Sequence, residues 1–462
     1  MRLLTRLTLA ALGAAALFNL TRAAEDTARD EKMLRTIYGA ELTTSTAYEN
    51  LRQLTTKFPG RLSGSKHLEG AVQWGESILK ASGADRTELQ PVMVPHWERG
   101  APESVRALSN KLPGAGPLAA IALGGSVATP VGGLRAHVVE LQSLDELATT
   151  NVKGKIVFFN RPMNPTYITP GNSYRDAGDQ RNKGPGEAAK YGAVGALVRS
   201  LSHAHDDVPH TGATTYAPEG PRIPAAALST LAADNLSRML RLDPATEVEL
   251  IINSRTLEDA PSHNVIGELR GAEFPNQVIL VGGHLDSWDN APGAHDDGAG
   301  IVQSIEVLRL LKSIGYRPRH TLRVVLFTNE ENGTRGAAAY STLAIERKEQ
   351  HLLAIETDTG GFEPRGFNLG NPAGDAHLRA ARWKALFEPY SIWYFEPGVG
   401  GSDVNPLLAH GAAVAGLQPD SQRYFDIHHT VEDSFDKVNQ RELELGAAAM
   451  ASLVYLVDQH GL

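Results

Sequence analysis

Residues 281–300 read VGGHLDSWDNAPGAHDDGAG, and residues 327–333 read FTNEENG. Each follows a short run rich in Val, Ile and Leu, 278–283 before the first and 321–327 before the second. Unbroken apolar runs of this length, closed by glycine or polar residues, are the pattern of strands covered on both faces of a parallel sheet. The carboxyl ends of such strands are where ligands and catalytic groups collect in open α/β sheets. His284, Asp286, Asp296, Asp297, Glu330 and Glu331 therefore reach one sheet edge together. So many carboxylates repel one another unless cations lie between them, and the pattern predicts a metal site with a base beside it.

Outward from that edge, the chain from 258 to 462 alternates strands (264–269, 278–283, 321–327, 352–356, 412–417) with helices (299–314, 334–345, 375–387, 441–457). This is the signature of an α/β fold, a layered mixed sheet with helices on both faces. Residues 24–109 read as the first part of the same unit, with helices over 30–38, 47–57 and 67–82 and a strand near 92–96. Between them, 110–257 changes texture to Gly, Pro, Thr and short Val/Ile runs with few helices. It predicts a β-rich insert.

At 462 residues, 42% of them hydrophobic, the chain exceeds one ordinary core, so more than one structural unit is expected. A net charge of −9 offers no basic surface for nucleic acid. Residues 1–23 have the basic, apolar and small-residue order of a signal peptide, and the apolar run is short for a membrane span. With no cysteine, disulfides, thiol catalysis and thiolate-bound zinc are excluded. A periplasmic or secreted protein with no membrane span in its mature chain is expected.

The ordered motifs HLDSW, PGAHDDGAG, TNEENG, ETDTGG and HHTVEDSFD resemble those of the dinuclear zinc peptidases of family M28. The resemblance implies a zinc exopeptidase fold in which the segment before SHNVIGELRG is a protease-associated-like domain. It implies two zinc ions per chain, held by His284, Asp296 as the bridging carboxylate, Glu331, Asp358 and His429, with Glu330 as general base. It also implies a homodimer and activity as a dipeptidase or carboxypeptidase on unblocked dipeptides or short peptides. Aminopeptidase action on longer peptides is the alternative within the class. An inactive binding module on the same scaffold is disfavoured because every ligand and the base are present.

The ligand types suit the metal: zinc takes imidazole nitrogen and carboxylate oxygen, and two ions about 3.5–4 Å apart need a ligand with two oxygens. Asp286 is expected to accept the proton of the second imidazole nitrogen of His284, and Asp297 to support the site. Glu330 and Glu331 can both face the cleft only across a bend, for which the turn at Asn332 and Gly333 is the candidate. Strand alternation turns His428 away from the site. Ser402 and Asp403, in a Gly-rich turn, are candidate substrate contacts, with a helix N-cap at Ser402 as the alternative. His203, His205, Asp206 and Asp207 read as a solvated loop.

Overall fold

The computed structural model describes residues 25–112 and 115–462; the expected leader, 1–23, lies outside them. An eight-stranded sheet has the spatial order Arg86–Glu98, Arg255–Leu269, His320–Phe327, Phe274–His284, Gln350–Glu356, Ala413–Pro419, Pro364–Gly370, Tyr394–Pro397. Its four middle strands, from His320–Phe327 to Ala413–Pro419, run parallel, and antiparallel pairings flank them on both sides. The apolar runs are unbroken because both faces are covered. Ile279 and Val281 join the cluster under the helices Ala47–Lys57, Ala299–Ser313 and Gln440–His460. Val278 and Leu280 join the opposite cluster with Tyr340 and Ala344 of the helix Arg335–Glu346. A slip of one residue would exchange these faces, so the apolar frame fixes where His284 and Glu330 emerge.

Several elements differ from the sequence expectation, among them Ser104–Leu108, which lies before 110 yet belongs to a second sheet. Arg255–Leu269 extends well before 264 and pairs antiparallel with Arg86–Glu98. Its first half is polar and exposed, so hydrophobic patterning could not mark it. Pro364–Gly370 is a strand that the sequence reading did not mark; its Pro is the first residue, where a missing N–H is tolerated. The expected helix 375–387 is broken into Ala376–Ala381 and Lys384–Phe387. The first helix runs unbroken over 25–44.

A second, seven-stranded sheet draws its strands from Ser104–Leu108 to Glu247–Ile251. Leu134–Leu141, Ile156–Phe159, Gly195–Arg199 and Ala225–Leu228 are parallel in that order. Apolar clusters lie on its two faces, one packed against the helix Thr230–Leu242. Among the described residues no helix is long and apolar enough to cross a membrane.

Candidate metal centre

His284 is the last residue of its strand, and the chain then enters a loop that returns as the irregular turn Ala294–Gly298 before the helix Ala299–Ser313. The turn exposes Asp296 to the strand end, and the Asp296–Asp297 peptide is cis. Asp297 ties the two elements together. Its carboxylate accepts the backbone N–H of His284 and that of Gly300, each at 3.0 Å, as expected of a supporting group. Gly283 and Gly300 leave the space it fills, since a Cβ on either would collide with it. Asp433 braces the turn from the other side, accepting the N–H groups of His295 at 2.7 Å and Asp296 at 3.1 Å.

Asp296 is the meeting point. Its Oδ1 lies 3.1 Å from His284 Nε2, which is also 3.5 Å from Asp358 Oδ1. Its Oδ2 lies 3.2 Å from His429 Nε2, which is also 3.2 Å from Glu331 Oε2. The five residues expected to bind metal are therefore brought together as two groups that share one carboxylate. His284 and His429 each direct Nδ1 at a backbone carbonyl, of Asp286 at 3.0 Å and Thr211 at 3.3 Å. A carbonyl only accepts, so Nδ1 carries the proton and each Nε2 faces carboxylate oxygens. Only a positive charge, proton or metal, satisfies that arrangement. Among the described residues, Asp296 Oδ2, Glu331 Oε1 and Asp358 Oδ1 are buried without a hydrogen-bond donor. Borderline cations with mixed nitrogen and oxygen preference fit such a donor set.

The electrostatics agree. Burial lowers the His284 pKa, but the carboxylates of Asp358, Asp296 and Glu330 outweigh it and hold the imidazole well above its ordinary range. Burial opposes ionisation of Asp296, yet His284, His429 and His428 hold it well below the usual carboxylate range. Glu331 is pushed up to about 8 by burial and by Asp296, and Asp358 to about 6, chiefly by burial. Asp433 rises to about 7 for the same reason and because Asp296 is near.

Three sequence expectations need correction. The carbonyl of Asp286, not its carboxylate, meets His284 Nδ1; the carboxylate is 3.9 Å away. It accepts instead the N–H groups of Glu330 at 3.0 Å and Glu331 at 3.3 Å, holding the turn that carries both. That turn bends at Asn329 and Thr334, with φ of 66° and 53°, rather than at Gly333, so both glutamates follow a left-handed residue instead of strand alternation. His428 does not turn away: its Nε2 is 3.4 Å from Asp296 Oδ2 and its ring stacks on His429 at 3.6 Å. It follows the helical turn Tyr424–Ile427 and precedes His429 at φ 63°, so the rule of alternation does not apply there.

Asp403 is buried, both its carboxylate oxygens lack a partner among the described residues, and its N–H donates to Glu356 at 2.9 Å. Burial and the neighbouring acids Glu356 and Glu330 hold Asp403 well above the usual range. Ser402 is exposed, and the short helix Asn405–His410 starts beyond Val404, so Ser402 does not cap it. In the loop 203–207, His205 pairs with Asp234 at 3.0 Å and Asp207 accepts the Ser229 hydroxyl at 2.6 Å. Sequence reasoning missed Arg61. Fully buried, it donates to the carbonyls of Leu285, Pro292 and Gly293 at 2.5, 2.6 and 2.9 Å, and so shapes the loop between His284 and Asp296. Its place in FPGRLSG, an ordinary turn sequence, gave no signal.

The pattern of peptidase family M28 matches residues 264–454. Carboxypeptidase Q of Bos taurus is 36% identical over 424 residues, 91% of this chain and 87% of its own. The human carboxypeptidase Q is 36% identical over 415 residues, 89% and 85% of the two chains. A crystal structure of a peptidase M28 precursor from Shewanella amazonensis SB2B superposes with a TM-score of 0.88 at 33% identity, covering 93% of this chain and 96% of that one. The zinc aminopeptidase of Bacillus subtilis shares the fold, with a TM-score of 0.63 at 20% identity over 88% of this chain and 94% of that one. Identity of 36% maintained along 91% of the chain, on that fold, means that the protein belongs to peptidase family M28 and is a metallopeptidase.

Proposed function

We propose that the chain is an exported exopeptidase with two zinc ions that hydrolyses unblocked dipeptides or short peptides. The observation that carries the reading is the shared carboxylate of Asp296, with His284 and Asp358 on one side and His429 and Glu331 on the other. When bound, zinc would supply Lewis-acid polarisation of the scissile carbonyl and acidify water beside it. Glu330, half-buried and fixed through its N–H to Asp286, takes the proton of the attacking water and returns it to the leaving amine. The Asp286 carboxylate positions this base and touches no substrate itself. Ser402 and Asp403 line the substrate side.

A free amino terminus on the substrate is favoured by the carboxyl oxygens of Asp403 and Glu356 that have no partner among the described residues, which suit a cationic group. Aminopeptidase action on longer peptides would draw on the same groups, and carboxypeptidase Q relatives favour the dipeptidase or carboxypeptidase reading. In this reading the second sheet is a protease-associated-like insert, 1–23 is a leader removed on export, and the protein works as a homodimer in the periplasm or outside the cell. The test is turnover of a dipeptide, tripeptide and longer-peptide library, with amino and carboxyl ends free or blocked, by zinc-loaded protein. Free dipeptides should be cleaved and amino-blocked ones spared. Preferred cleavage of long peptides from the amino end would replace the reading by the aminopeptidase one, and full activity after strong chelation would sink both.

A further inference from the structure

The second sheet does more than flank the metal centre. The segment joining its strands Gly195–Arg199 and Ala225–Leu228 lies along the loop that carries His428 and His429. His210 Nδ1 donates to the His428 carbonyl at 2.7 Å. The Thr211 N–H donates to the His429 carbonyl at 3.1 Å, and His429 Nδ1 donates to the Thr211 carbonyl at 3.3 Å. From the first unit, Asn290 Nδ2 reaches the same His429 carbonyl at 3.2 Å. His429 needs this grip. Its φ of 63° is a left-handed conformation that a residue with a Cβ holds only when its surroundings fix it.

Behind Thr211 stands Arg181, 6% exposed. Its guanidinium donates to the Thr211 carbonyl at 3.3 Å, to the Tyr174 hydroxyl at 2.5 Å and to Asn182 Oδ1 at 3.3 Å. It lies against Gly212, where a Cβ would collide with it. Tyr174 in turn packs edge-on to His428, with ring centroids 5.1 Å apart, and stacks on Phe425. Among the described residues Arg181 forms no ion pair with a carboxylate. Its buried charge is held instead by these three hydrogen bonds and by the face of the Tyr174 ring.

We propose that the second sheet is a working part of the metal centre: Arg181, acting through the Thr211 carbonyl, fixes His429 with Nε2 toward Asp296 and Glu331, and so sets the affinity of the metal position those three residues share. Arg181 is a positioning residue. It touches neither metal nor substrate. Groups that orient an imidazole ligand through its second nitrogen are typically worth 10–100-fold in metal affinity. This inference rests on the two-ion reading above.

The experiment titrates metal-free full-length protein with zinc against a competing chelator, for the parent, Arg181→Met and Arg181→Lys. In Arg181→Met one of the two affinities should fall by about 10–100-fold while the other is unchanged, with partial recovery in Arg181→Lys. Metal-free Arg181→Met should melt somewhat lower than the parent, because the Thr211 carbonyl and the Tyr174 hydroxyl lose their donor; the sign of a positioning role is that only one of the two affinities falls. His210→Phe, which keeps a ring and removes the donor, should weaken the same single affinity and decides the matter if Arg181→Met does not fold. Two parental affinities in a folded variant, or an equal fall in both, would overturn the proposal. A parent that takes up one ion refutes the two-ion reading instead, and the effect of Arg181→Met on that ion then decides this one.

Discussion

Glu330 and Glu331 are neighbours with the same functional group and different surroundings. Glu331 Oε2 lies 3.2 Å from His429 Nε2 in a buried site that pushes its carboxyl up to about 8, whereas Glu330 is half-buried. Glu330→Gln should therefore leave zinc content and KM nearly unchanged while kcat falls by about 10²–10⁴-fold, the usual worth of a positioned base. Glu331→Gln should instead lower zinc retention, with activity partly returning in excess zinc. Elemental analysis beside steady-state kinetics separates them, and a Glu330→Gln protein that loses metal but turns over when reloaded would exchange the two roles. Asp286→Ala should damage both functions, because one carboxylate holds both N–H groups. At this scale residue type and spacing marked His284, the pair Asp296 and Asp297 and the pair Glu330 and Glu331; the choice within each pair, and Asp358 and His429, came only through the motif resemblance. Neither was enough for His428 or for the contacts of Asp286, because these depend on the left-handed residues Asn329 and His429, which no periodicity announces.

Between residue and molecule lies the loop from Leu285 to Gly293, which carries no candidate ligand yet decides where Asp296 arrives. The Arg61 guanidinium replaces water for three of its carbonyls, and burial lowers the Arg61 pKa against the opposing pull of Asp433, Asp286, Asp297 and Asp296. Arg61→Leu leaves those acceptors buried and unpaired. With each orphaned group costing about 1–3 kcal/mol, the variant should lose roughly 3 kcal/mol or more in denaturant unfolding and bind zinc poorly even where folded. A stable variant with normal zinc content would show that the loop holds itself. The parallel strands at the centre of the sheet were legible because burial on both faces leaves an unbroken apolar run. Pro364–Gly370 and the exposed half of Arg255–Leu269 were not, since a strand near a sheet edge and a solvated ribbon need no such run. Arg61 was invisible for a different reason: it comes from a turn between two helices and meets residues more than 220 positions away.

For the molecule as a whole, the metal centre concentrates buried acids that the fold alone does not neutralise. Glu331 at about 8, Asp433 at about 7 and Asp358 at about 6 are all raised, burial being the largest cause in each. A carboxyl raised in the folded state gives stability that is full below its unfolded pKa and is lost as pH rises through the folded value. The metal-free protein should therefore lose stability between about pH 4 and 8. Zinc requires the ionised ligands and releases their protons on binding, so the loaded protein should escape this loss. The gap in melting temperature between loaded and chelated protein should widen steadily from pH 5 to pH 8, and zinc uptake near pH 6.5 should release protons, measurable from the buffer dependence of the binding heat. Glu41 provides the internal control. Far along the chain from any candidate ligand, it is pushed to about 9 by burial and by Glu306. Its share of the pH slope must persist with zinc bound, and Glu41→Gln should flatten the slope equally in both forms while leaving the gap intact. A gap that stays constant with pH, or that closes in Glu41→Gln, would mean that the acids around Asp296 are not what the metal neutralises.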